Sequence, residues 1–167
     1  MTSTLFTIGF TKKTAEEFFR LLQEAHVEKL IDIRENRVGQ LAGFAKYPDL
    51  AFFLEQIAGI AYDYQPILAP TPEMRDAYIE SRDWEKYENA FVELMTMRQV
   101  LDQVDSAAFD GRVALLCSEA EPEKCHRRLV AEMLVRHLAA QGHLIEVEHL
   151  VSAKPPRKVK PTKARNA

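Results

Sequence analysis

Short apolar runs alternate along this chain with longer stretches in which apolar residues recur every three or four positions. The short runs predict strands and the longer spacing predicts amphipathic helices. Leu5-Phe6-Thr7-Ile8, closed by Gly9, predicts the first strand. Thr14 stands where it can cap a helix that carries Phe18, Phe19, Leu21 and Leu22. Residues 29–34 predict the second strand, and Asp49 a helix cap ahead of Phe52, Phe53, Leu54 and Ile57, with Gly59 as terminator. Residues 60–64 predict the third strand. Beyond Pro66, Pro70 and Pro72, helical patterns cover 73–81 and 84–104. Residues 112–117 (RVALLC) are almost wholly apolar, as in a central parallel strand buried on both faces. Pro122 suits the first turn of a helix reaching about Ala140, with Gly142 just past its end. Residues 144–151 alternate Ile145, Val147 and His149 with Glu146 and Glu148, the pattern of an edge strand.

Strands alternating with helices imply right-handed βαβ units. The expected fold is therefore α/β: a single three-layer domain over residues 1–152 with a mainly parallel central sheet of about five strands, Rossmann-like or flavodoxin-like. Ligands of such sheets bind in the crevice beyond the carboxyl ends of the strands. No apolar run approaches the roughly 20 residues that span a bilayer, so no membrane partner is expected. The first ten residues lack a basic segment and a small-residue cleavage site, and two cysteines make no disulfide framework. The expected compartment is the cytoplasm.

Charge divides the chain unevenly. From Lys154 onward there are six basic residues and no acidic one, so the net charge of −3 conceals a more acidic body. Residues 153–167 read as a disordered basic tail, because a Pro-rich segment without aromatics cannot bury enough apolar surface to fold alone. Such a tail either contacts nucleic acid or only aids solubility. The acidic body argues against the whole domain clamping a polyanion.

The densest chemistry lies in Cys117-Ser-Glu-Ala-Glu-Pro-Glu-Lys-Cys125-His126-Arg127-Arg128. Cys117 ends the most apolar strand, Glu119 follows it, and Cys125 to Arg127 stand near the next helix start, where backbone amides favour anions and thiolates. Cys125 is either an activated thiol or a packed one, since it shares a helix face with Leu129 and Met133. Cys117, Cys125 and His126 are acceptable zinc ligands. Their spacing is wide for a compact site, however, and adjacent Cys125 and His126 would diverge if both were helical, so no metal is expected.

In Asp32-Ile33-Arg34, alternation puts Leu30, Asp32 and Arg34 on one face of the strand. Charges there either form a structural ion pair or face the crevice, and their place at the strand end favours the crevice. The loop 35–47, with Arg37, Gly39, Gly43, Phe44 and Lys46, suits a lid. Arg75, Tyr78, Arg82 and Trp84 form either a stacking and phosphate-binding wall or a solvated surface, the second being the expectation. No Walker sequence, GxGxxG, HExxH or GxSxG occurs, so no cofactor can be named.

Thr7-Ile8-Gly9, Asp32-Ile33-Arg34, Leu115 to Glu119 and Cys125-His126-Arg127 together resemble the family known as domain of unknown function 488, over residues 4–150. The chain departs from that pattern at Phe10-Thr11, where members often carry histidine-serine, and at Leu68-Ala69-Pro70, where they often carry paired glycines. The resemblance implies a compact α/β fold and no settled activity.

The leading expectation is an enzyme that hydrolyses, or transfers a group from, a nucleotide, nucleobase or nucleic-acid-related anion. Asp32, Glu119, Cys125 and His126 are the expected catalytic residues. Gly9, Arg34, Cys117, Arg127 and Phe44 are expected to bind the substrate, a small anionic or nucleotide-like ligand. The alternatives are a thiol or redox enzyme using Cys117 and Cys125, and a non-catalytic nucleic-acid or protein adaptor acting through the tail. One outcome follows from composition alone: deleting residues 154–167 should leave the thermal melt nearly unchanged. A midpoint lowered by many degrees would show that the tail docks on the body.

Overall fold

A computed structural model describes residues 3–39 and 42–153. Five parallel strands form one sheet in the order β3-β2-β4-β1-β5, where β1 is Ser3–Gly9, β2 Lys29–Asp32, β3 Ala61–Tyr64, β4 Arg112–Cys117 and β5 Ile145–Leu150. The chain moves outward in one direction from β1 to β2 to β3, then reverses, placing β4 between β2 and β1 and β5 beyond β1. Right-handed crossovers therefore send the helices of the first half to one face and those of the second half to the other.

The two faces show this separation in their cores. Helix α1 (Ala15–Glu24) and α2 (Asp49–Phe52, continued by a π-helical stretch Phe53–Ala58) cover Phe6, Ile8, Leu30, Ala114 and Leu116 with Phe18, Leu22, Leu50 and Leu54. On the opposite face α4 (Trp84–Met97), α5 (Val100–Gln103) and α6 (His126–Ala140) bring Phe91, Met95, Leu129 and Leu134 onto Leu5, Ile31, Val113 and Leu115. Helix α3 (Pro72–Ser81) flanks α4. Odd and even positions of β1, β2 and β4 thus serve different cores, so the expected three-layer α/β fold is present and its sheet is wholly parallel. Among the described residues, edge strand β5 pairs only with β1. No helix among the described residues is long and apolar enough to cross a membrane.

Several boundaries differ from the expected ones for identifiable reasons. The 84–104 helix breaks at Gln99, whose φ of 52° is left-handed. Asp49 lies in the first turn of α2, with Pro48 at the cap position. The last helix starts at His126 rather than near Pro122, because Pro122 belongs to a turn in which its carbonyl accepts from the Cys125 amide at 3.2 Å. Cys125 therefore has extended backbone at the N-cap, φ −139° and ψ 140°. The tail from Lys154 lies outside the described residues.

Gly9 ends β1 under the loop that follows β4. A Cβ at this position would run into the Glu119 carbonyl and Arg127, so the two segments meet only because a side chain is missing. Further along the same edge Thr7 Oγ1 lies 2.6 Å from His149 Nδ1, tying β1 to β5. Burial, and then the charge of Arg127, hold the His149 imidazole below its ordinary range. A depressed histidine favours the fold while neutral, so this stability is present above the unfolded-state value of about 6.5 and declines as pH falls below it. His149→Gln should therefore flatten the acid limb of a plot of melting temperature against pH between about 7.5 and 5.5. A variant curve parallel to that of the wild type would show that the imidazole carries no such linkage.

Candidate active site

The loops after β2 and β4 leave the sheet toward opposite faces, which opens a crevice between two neighbouring strand ends. A cavity of about 290 Å³ occupies it. Arg34, Cys117, Glu119, Cys125 and His126 line this cavity; Asp32, Gly9, Arg127 and Phe44 do not.

Buried Arg34 and Asp32 form a bidentate pair. Nε donates to Oδ1 at 2.8 Å and Nη2 to Oδ2 at 2.7 Å, while Nη1 reaches the Ala45 carbonyl at 2.8 Å. Asp32 also accepts from the Arg34 amide at 3.2 Å and from the Tyr62 hydroxyl at 2.7 Å, so all of its acceptor positions are filled. A carboxylate in this state has no free lone pair for a substrate proton. Asp32 is thus a positioning residue rather than the catalytic base expected from its place in the strand. It fixes a guanidinium that reaches the cavity with two of its five N–H groups unpaired among the described residues. The Phe10 ring, 5.3 Å from that guanidinium, packs beside it.

Arg127 is fully buried and, against expectation, does not line the cavity. Its Nη1 donates to the Glu119 carbonyl, Nη2 to the Ala120 carbonyl at 3.2 Å and Nε to Thr7 Oγ1 at 3.2 Å. The side chain expected to grip an anion instead grips the turn after β4. Arg128 is partly exposed and pairs with Glu132 at 2.9 Å. Phe44 is half-buried and packs against Phe18 of α1, ring centres 5.3 Å apart, at the margin of the core that α1 covers. The loop it belongs to reaches the cavity through Glu35, Asn36, Gly39 and Ala42 instead, and residues 40 and 41 lie outside the described residues.

At the cavity floor the His126 Nε2 lies 2.9 Å from the Ile33 carbonyl, which can only accept, so this nitrogen carries the proton. Nδ1 then faces Cys117 Sγ at 3.3 Å. Burial acts to raise the Cys117 thiol, but donation from the Cys125 thiol, the Arg127 charge and the amides of Glu119 and Ser118 bring it below its ordinary value. Burial and the neighbouring Cys117 push Cys125 well above. Glu119 itself is exposed, and its position is set through the backbone carbonyl that Arg127 holds.

One wall is aromatic. Trp84 and Tyr87 stack with centres 5.1 Å apart, Tyr78 lies 5.3 Å from Tyr87, and all three line the cavity. Burial pushes the Tyr87 phenol upward, followed by the nearby Cys117, Cys125 and Glu119. Arg75 joins this wall through a 2.6 Å bridge to Glu35, and Lys124 adds a second exposed cation. Tyr78, Trp84 and Arg75 are thus cavity residues, contrary to the solvated surface expected for them; Arg82 is not among them. Tyr87 and Lys124 went unpredicted. The available signal was the i, i+3 spacing of Trp84 and Tyr87, which puts both rings on one helical face.

The family model described as "Domain of unknown function DUF488" matches residues 14–134. The chain belongs to that family. The match takes in Arg34, Cys117, Glu119, Cys125 and His126, and so every expected residue that this structure gathers at the cavity. No curated protein and no solved structure matches the chain.

In this DUF488 chain Arg127 and Arg128 make opposite demands on stability. Arg127→Ala leaves a buried hydroxyl and two part-buried carbonyls without their donor and a cavity where the side chain was, so it should cost about 3–5 kcal/mol in urea denaturation. Arg128→Ala should cost no more than about 1 kcal/mol. Equal losses at the two positions would refute the assignment.

Proposed function

We propose that the chain is an enzyme acting on a planar anionic substrate, a nucleotide, nucleobase or related fragment, by hydrolysis or group transfer in the β2–β4 crevice. The observation carrying this reading is the aromatic cluster of Tyr78, Trp84 and Tyr87, which lines one cavity together with Arg34 and Lys124. Aromatic faces hold a base by stacking, and a fixed guanidinium holds an anion. A volume near 290 Å³ suits a single base with its sugar or phosphate, at the lower limit of small-molecule sites. Glu119 is the carboxylate free to move a proton, because it is exposed at the cavity and Asp32 is saturated. A thiol-based reaction is the second reading, favoured by the 3.3 Å approach of Cys117 Sγ to His126 Nδ1.

Trp84 is the only tryptophan, so intrinsic fluorescence reports on the cavity directly. Nucleoside monophosphates or their bases should quench it saturably, and Tyr78→Ala should weaken the effect about 5- to 100-fold, the range of one stacking contact. Glu119→Gln should keep the binding and lower turnover by about 10²–10⁴. If no base, nucleoside or nucleotide perturbs Trp84 at millimolar concentration, the reading is wrong.

A further inference from the structure

Three soft or borderline donors meet at the cavity floor. Cys117 Sγ, Cys125 Sγ and a ring nitrogen of His126 all lie within 4.8 Å of one another, and all three residues are buried. Among the described residues no other group of three His, Cys, Asp or Glu donors is gathered in this way. We infer that this cluster is a binding site for one divalent transition metal of the zinc type, with its fourth coordination position open to the cavity.

Four observations carry the inference. First, the backbone turns sharply between Cys125 and His126. Adjacent Cys125 and His126 would diverge if both were helical, but Cys125 is extended at the N-cap while His126 begins α6, and so their side chains converge. Second, His126 is oriented as metal-bound histidines are. Its Nε2 proton is committed to the Ile33 carbonyl at 2.9 Å, leaving the bare Nδ1 directed at Cys117. Third, two sulfurs and an imidazole make a donor set that zinc favours. Fourth, all three residues line the cavity, so the remaining tetrahedral position faces open space, as in sites with three protein ligands and an exchangeable fourth.

The fit asks for little movement. Ligands about 2.1–2.3 Å from a tetrahedral ion lie about 3.5–3.8 Å apart, so the widest pair closes by about 1 Å. The surrounding fold holds each partner: Cys117 by β4, His126 by Ile33, and the connecting turn by Arg127. The inference is independent of the substrate class proposed above, and either can fail alone.

The test uses the untagged full-length chain, stripped of metal under reducing conditions and titrated with Co²⁺. About one equivalent should bind, with the thiolate-to-metal charge-transfer band and the intense visible bands of tetrahedral cobalt. Cys117→Ser, Cys125→Ser and His126→Gln should each weaken binding at least about 100-fold, more than an outer-shell partner would. Should a variant fail to fold, the wild type still decides: Zn²⁺ should protect Cys117 and Cys125, located by peptide mapping, from N-ethylmaleimide. Wild-type chain without a thiolate–cobalt band, a folded Cys125→Ser variant binding Co²⁺ as tightly as wild type, or thiols unprotected by bound Zn²⁺ would each overturn the site.

Discussion

The site depends on one buried guanidinium. Arg127 is fully enclosed, and it is held there by a hydroxyl on β1 and by two carbonyls of the turn after β4. A charge in the interior persists only when its donors are matched, and here matching them requires the Glu119–Ala120 backbone to lie across the end of β1. Gly9 permits that approach by lacking a Cβ. Through these contacts the turn takes a single path, which leaves Cys117 at the cavity floor and the Glu119 carboxylate at its mouth. The arginine therefore shapes the cavity without lining it.

A similar division of labour separates the two carboxylates. Asp32 is buried and fully bonded, and its work is to hold Arg34 in one orientation against the cavity wall. Glu119 is exposed, and its carboxylate has no hydrogen-bond partner among the described residues. Identical in charge, the two differ in what they can do because burial and hydrogen bonding consume the lone pairs of one and not of the other. The cysteines diverge in the same way: the Cys125 thiol, the Arg127 charge and two amides bring Cys117 down, whereas burial and its neighbour push Cys125 up. The crevice thus contains one fixed cation, one free carboxylate and one polarised sulfur cluster beneath an aromatic wall.

Much of this was legible in the residues. Apolar periodicity and the strand–helix alternation determined the three-layer parallel sheet, because a strand buried on both faces must be apolar throughout and a crossover must be right-handed. The same rules located the site at the carboxyl edge, where Arg34, Cys117, Glu119, Cys125 and His126 do meet. Tertiary structure alone decided which of the charged residues face inward. Asp32 and Arg34 share a strand face in any α/β reading, but whether the aspartate serves the ligand or the arginine depends on Tyr62 and Ala45, distant in sequence. Arg127 read as a crevice cation from its helix position, and the carbonyls that claim it belong to a turn whose path no periodicity describes. Cys125 and His126 were separable in sequence only on the assumption of a helix beginning at Pro122; four residues of irregular backbone bring their side chains together instead. Periodicity specifies which face a residue occupies, whereas the contact it makes there depends on segments that only the folded chain brings within a hydrogen bond's reach.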